Sequence, residues 1–167
     1  MFSWVRDAEQ ATPLADFFVR NVGPEYISHG EILTGRASDE QTWAAAHLFD
    51  SVCVELAGCA KSFVEGGNSR AATATQGQRV VGLAICEIDR STATAHAWVE
   101  DIVIDQNARA RGFATAFLAW IEEQLEREGV LSVFIESGMR NSAAHVFFER
   151  RGYRPCSLVM RKVLRDA

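Results

Sequence analysis

Trp98-Val99-Glu100-Asp101-Ile102-Val103-Ile104-Asp105, then Gln106-Asn107-Ala108, then Arg109-Ala110-Arg111-Gly112-Phe113-Ala114-Thr115, is the stretch around which the chain is organised. Its first part reads as a strand, rich in β-branched residues and bounded by the turn formers Asp105, Gln106 and Asn107. Its last part opens a helix through a small, basic loop. Gly112 and Ala114 leave the backbone bare enough for close approach by a ligand. The first N–H groups of a helix have no partner within it, and they point outward with the positive end of the dipole. Arg109 and Arg111 add two positive charges. Physically this is a site for an anion such as a phosphate or pyrophosphate.

Two other phosphate-loop patterns are absent: neither Gly-x-x-x-x-Gly-Lys-Ser/Thr nor Gly-x-Gly-x-x-Gly after a strand occurs. Arg109, Gly112 and Ala114 instead match Gln/Arg-x-x-Gly-x-Gly/Ala. This resembles the loop with which the GNAT superfamily of N-acetyltransferases binds the pyrophosphate of acetyl-coenzyme A. A second block, from Asn141 through Phe147, Phe148 and Gly152 to Tyr153, is similar to the family's Asn-x-x-Ala-x-x-Phe-Tyr-x-x-x-Gly-Phe. The resemblance runs from about residue 79 to the C-terminus and is weaker before that.

The 167 residues suit a single domain, taken as 1–167, with room for a proper core. No apolar run approaches a membrane span, and residues 1–7 lack the apolar centre of a signal peptide. A cytoplasmic location and no membrane partner are therefore expected. Cys53, Cys59, Cys86 and Cys156 show no metal-binding spacing, and reduced, partly buried thiols are expected with no metal. The net charge of −5 argues against a general nucleic-acid binder. It leaves room for an anionic cofactor, because a basic loop at a helix start can oppose the global sign.

Taken in order, residues 3–7 read as a short strand. Thr12 and Pro13 then start a helix with Leu14, Phe17 and Phe18 on its apolar stripe. Residues 25–36 are mixed and punctuated by Gly30 and Gly35, which suits a loop or short helix. Ser38-Asp39-Glu40 reads as the start of a long helix that ends at Gly66-Gly67, with a break near Gly58. Strands are expected at 70–76, 79–89 and 92–105, and a secure helix at 113–128 with Phe117, Leu118, Ile121 and Leu125 buried. A strand at 130–136 completes a right-handed βαβ unit. Asn141 caps a helix at 142–151, and residues 153–164 supply a last strand or hairpin.

The resemblance implies an α+β fold: a mixed, mostly antiparallel sheet of six to seven strands, with a splayed parallel pair and helices on both faces. It also implies acetyl-coenzyme A as co-substrate. The backbone of Ile102, Val103 and Ile104 would pair with the pantetheine amides, and Arg109, Ala110, Arg111, Gly112, Phe113, Ala114 and Thr115 would cradle the pyrophosphate. Asn141 would hydrogen-bond the cofactor arm. Phe147 should pack in the core. Phe148 stands where many family members place the tyrosine that protonates the departing thiolate; a phenylalanine has no proton to give.

The base candidates are Glu100 first and Asp101 second. Neighbours in a flat strand face opposite sides, so only one can reach a given cleft unless a bulge re-aims it. A glutamate nine residues before Arg109 resembles the general base of several small-amine acetyltransferases. Tyr26, His29 and Glu31 lie in the region that shapes the acceptor site in such folds. The expected activity is acetyl transfer to a primary amine of a small molecule by direct attack. Acetylation of a protein amine and non-catalytic acyl-coenzyme A binding are the alternatives. Family members often form homodimers, and nothing in the sequence decides this.

Overall fold

The structure, a computed structural model, describes residues 1–164. The elements are β1 (Phe2–Trp4), α1 (Ala11–Asn21), α2 (His29–Leu33), α3 (Ala45–Val64), β2 (Ser69–Gln76), β3 (Arg79–Asp89), β4 (His96–Ile104), α4 (Phe113–Arg127), β5 (Ser132–Ile135) and α5 (Ser142–Glu149). The strands form one sheet in chain order, β1-β2-β3-β4-β5. All neighbouring pairs are antiparallel except β4 and β5, which run parallel across the α4 crossover.

Two apolar layers cover the two faces. On one, Leu14, Phe17 and Phe18 of α1 and Leu48, Val52 and Leu56 of α3 pack on Leu83, Ile85 and Val103. On the other, Phe117, Ile121 and Leu125 of α4 pack on Ala84, Cys86, Ala97 and Val99. Period 3.6 in the helices and period 2 in the strands dictate which side chains share each layer.

A bulge in β4 changes this parity. Ile85 pairs with Asp101 while Cys86 pairs with Val99, so Glu100 has no partner on β3. Before it, Ala97 and Val99 face α4; after it, Val103 faces α1 and α3. One extra residue thus moves Asp101 to the α1–α3 side and leaves Glu100 at the turning point.

Several expected boundaries shift. α3 starts at Ala45 rather than at residue 38, because the Asp39 carboxylate accepts from the Gln41 N–H in a local turn and Ala37 bridges to Trp43. Gly58 does not break α3. Thr12 does not cap α1; its hydroxyl lies 3.7 Å from Cys53 Sγ. Phe147 is half-buried under Arg151, and Phe148 is the buried member of the pair.

The sheet has five strands among the described residues, not six or seven, because residues 153–164 form neither strand nor hairpin. A strand exists only through its neighbours' hydrogen bonds. This segment carries Pro155 near its start and is exposed from Arg154 onward. An ion pair between Arg161 and Glu40 ties it to the rest of the chain, at 3.5 Å.

Candidate active site

The pairing of β4 with β5 stops at Val99 and Ile135, so the two strands part just where Glu100 bulges out. In parallel α/β units, ligands gather outside the carboxyl ends of the strands, where neighbours diverge. The parted ends, α2 and the start of α5 enclose a narrow cavity of about 30 Å³. Tyr26, Ser28, Glu31, Glu100, Ile102, Glu136, Ser137, Asn141 and Phe148 line it.

Glu100 lies at the mouth of this cavity. It reaches solvent, but protein packed on the cavity side and the carboxylates of Glu55, Glu87 and Glu136 push its carboxyl up to about 7, with Arg36 opposing them. Asp101 does not line the cavity; it is 2% exposed. Its Oδ1 accepts from the Tyr26 hydroxyl at 2.7 Å, and its Oδ2 lies 3.4 Å from Arg36 Nη1. Burial and the Glu55 charge raise the Asp101 carboxyl to about 7 against the pull of Tyr26 and Arg36.

Arg36 is itself buried, held by Ser51 and by a close ion pair with Glu55. Burial works against its charge, but Glu55 and Asp101 outweigh it and keep the guanidinium protonated. The Tyr26 hydroxyl is pushed far up by burial and by Asp101. That hydroxyl is the hub of the network: it donates to Asp101 and accepts the Ile102 N–H at 3.1 Å.

The second wall is the capping box of α2. Ser28 caps the helix, and Glu31, 7% exposed, takes the Ser28 N–H at 2.7 Å. The Ser28 hydroxyl sits between Glu31 and Glu136, with one proton to donate to either. Glu136 also receives the Gly30 N–H at 3.2 Å and lies 2.6 Å from His29 Nδ1. His29 therefore stands behind Glu136 rather than on the cavity wall, whereas Tyr26 and Glu31 are on the wall.

Beyond the carboxyl end of β4 lies the loop 109–112. Arg109 turns inward: its Nε bonds Ile104 C=O at 3.2 Å and its Nη2 bonds Asn21 C=O at 2.9 Å. It braces the loop, while Arg111 stays exposed and free to meet an anion. Ala110 and Gly112 both adopt positive φ, +60° and +82°. Gly112 precedes α4 with no side-chain cap, so the first N–H groups of Phe113, Ala114 and Thr115 face the loop unclaimed by a capping group. Arg151 reaches over to the Thr115 hydroxyl.

Of the β4 backbone, the Ile102 N–H and the Ile104 C=O point away from β3 and are taken by Tyr26 and Arg109. By strand alternation, the Val103 polar groups point toward β3 and those left on the open side are Ile102 C=O and Ile104 N–H. Asn141 caps α5 through Oδ1, which accepts from Ala144 N–H at 3.3 Å, leaving its amide donors free. Phe148, 9% exposed, packs edge-on against Phe147 and Tyr153.

The sequence reading missed Ser28, Arg36, Glu55, Glu136 and Ser137. Ser28-x-x-Glu31 is a capping-box pattern, and Glu136-Ser137 follows directly on a parallel strand; both signals were available. Arg36 and Glu55 carry no local signal, since only tertiary packing brings them to Asp101. No group of metal-ligating side chains occurs among the described residues, and none of their helices is long and apolar enough to cross a membrane.

A loop with two positive-φ residues, a bulged carboxylate and a parted parallel pair make up the candidate site. The chain belongs to the acetyltransferase (GNAT) family, whose model matches residues 34–153. Among solved structures, it is similar to the Bacillus subtilis protein YycN, with 14% identity, a TM-score of 0.67, and 99% of this chain and 100% of that one covered. It is also similar to a ribosomal-protein-alanine N-acetyltransferase from Brucella melitensis, with 13% identity, a TM-score of 0.65, and 97% and 99% covered. An aminoglycoside acetyltransferase from an uncultured soil metagenomic sample, in complex with sisomicin, shares 14% identity at a TM-score of 0.60, with 98% and 97% covered. At such identities the likeness speaks for the fold. A search of the curated proteins finds no match.

Proposed function

We propose that the protein transfers the acetyl group of acetyl-coenzyme A to a primary amine of a small, cationic molecule, with Glu100 as general base. The observation that carries this reading is the position of Glu100: on a bulge, at the mouth of a cavity, where β4 and β5 part. A base poised near neutrality takes a proton from an ammonium and releases it again without a large penalty. Glu31 and Glu136 on the same wall favour a positively charged acceptor. His29 supports Glu136, and Asp101 positions Tyr26 rather than meeting the substrate.

The cofactor fits the residues present. Unclaimed N–H groups at the start of α4 and the exposed Arg111 suit a pyrophosphate. Ile102 C=O, Ile104 N–H and the free amide of Asn141 suit the peptide-like groups of a pantetheine arm. In the reaction the amine nitrogen attacks the thioester carbonyl carbon. A C–N bond forms, the C–S bond breaks, and the amine proton passes to Glu100. The aminoglycoside acetyltransferase among the similar structures, in complex with sisomicin, is in keeping with this reading. The ribosomal-protein-alanine enzyme keeps a protein amine as the second reading.

Thiol release from acetyl-coenzyme A across polyamines, aminoglycosides, amino acids and lysine peptides tests the proposal. Release with a small cationic amine, lost in Glu100→Gln while cofactor binding persists, is the expected result. Release with peptides alone would replace it by the second reading. Binding without release from any amine would favour an acyl-coenzyme A sensor, the reading that Phe148 keeps in play.

A further inference from the structure

Phe148, on the cavity wall, brings no hydroxyl to a departing thiolate. The other hydroxyls around the cavity are committed. Tyr26 donates to Asp101, and Ser28 sits between Glu31 and Glu136; Tyr153, outside the cavity lining, donates to Glu122 at 2.6 Å. One is not. Ser137 lines the cavity together with Glu100, Asn141 and Phe148, and its Oγ is buried with no hydrogen-bond partner among the described residues.

A buried hydroxyl without a partner is costly and uncommon, and it calls for an explanation. Its place is fixed rather than accidental. The next residue, Gly138, packs so closely on the 25–27 turn that a Cβ would come within 2.4 Å of Ile27 C=O and 2.8 Å of Glu25 C=O. The Asn141 N–H bonds Gly138 C=O at 2.9 Å and closes the loop onto α5. Ser137 is thus held rigidly at the end of β5, beside the gap through which a thioester would have to reach Glu100.

The geometry points to Ser137 as the donor that stabilises the sulfur of coenzyme A as it leaves, in place of the hydroxyl missing at Phe148. This rests on the acetyl-transfer reading given above. When the tetrahedral intermediate collapses, the C–S electron pair passes to sulfur. The Ser137 O–H donates a hydrogen bond to that thiolate and keeps its own proton, because an alcohol is a far weaker acid than a thiol. The proton that completes coenzyme A comes from water, and the proton of the attacking amine goes to Glu100. A donor that meets charge as it develops is the arrangement that lowers a barrier.

The test needs no acceptor. Coenzyme A with a free thiol is bound to the protein, and the bound thiol is titrated by its thiolate absorbance, as the difference between liganded and free protein so that Cys156 and the other cysteines cancel. A hydrogen bond to the charged form lowers a pKa. The bound thiol is expected to titrate about one unit lower in the native protein than in Ser137→Ala. Ser137→Thr is expected to keep the low value. Phe148→Tyr in the Ser137→Ala background is expected to restore it. Equal thiol pKa values in native protein and Ser137→Ala, with coenzyme A bound to both, would overturn the role of Ser137 and leave the transferase reading intact. Failure of the native protein to bind coenzyme A would instead overturn the transferase reading, and the serine's role with it.

Discussion

Glu100 and Asp101 are neighbours with carboxyls raised to about the same value, yet they face different worlds. Asp101 is sealed under Tyr26 and Arg36; Glu100 opens on the cavity. Glu100→Gln keeps the shape and removes the proposed base, so kcat is expected to fall about 10²- to 10⁴-fold with little change in cofactor affinity, read by steady-state kinetics. The Asp101 carboxyl has a consequence for stability. Between the ordinary carboxylate range and about 7, the folded state holds a proton that the unfolded chain has released, so stability falls as pH rises through that window. Denaturant melts from pH 4 to pH 8 should show this decline, and Asp101→Asn should reduce it to the share that the raised Glu100 carboxyl contributes. Tyr26→Phe removes the hub hydroxyl and leaves Asp101 and the Ile102 N–H short of a partner. A loss of about 1–3 kcal/mol is expected from the same melts.

At the scale of elements, the bulge and the anion loop decide how the site is built. The bulge flips β4 from one layer to the other, and the loop turns β4 into α4 through positive φ at Ala110 and Gly112. The two arginines of that loop have separate tasks. Arg109→Ala should lower the melting temperature, because it strips donors from Ile104 and Asn21 carbonyls. Arg111→Ala should weaken acetyl-coenzyme A binding, measured by titration calorimetry, and leave the melting temperature in place. Composition alone could not divide these roles, since two arginines two residues apart look alike in a sequence. The strands and α4 were legible because their apolar periods are clean. The start of α3 was not: Ser38-Asp39-Glu40 has the chemistry of a helix start, but the Asp39 turn and the Ala37–Trp43 bridge take those groups first. The strand expected at 153–164 does not form, since Val159 and Val163 suit a strand only where a neighbouring strand pairs with them.

For the whole molecule, the sheet separates two apolar layers and the site forms where the sheet opens. The basic loop with its two arginines follows β4, and Glu31, Glu100 and Glu136 line the cavity where β4 and β5 part. The net charge of −5 hides this division. The basic loop from Arg109 to Ala114 was visible in the sequence, and Glu100 stood out there as the base candidate that the proposal takes up. The acidic wall left only local hints, the capping box at Ser28 and the strand end before Glu136, because its members meet only after folding. Glu136, for instance, reaches Ser28 across 108 positions of chain. Under the proposed function the basic loop and the acidic wall both work through partly solvated charge, so raising salt from 50 to 500 mM is expected to weaken cofactor binding and to raise KM for a cationic amine together.

The most direct measurement is the pH dependence of kcat/KM for an amine acceptor whose own pKa lies well above 7, in the native protein and in Glu100→Gln. A base must be deprotonated to act, so the native profile should rise with pH and level off above about 7. That limb should vanish in Glu100→Gln, together with most of the rate. A Glu100→Gln variant with the native rate and the same limb would contradict the assignment of Glu100 as the base.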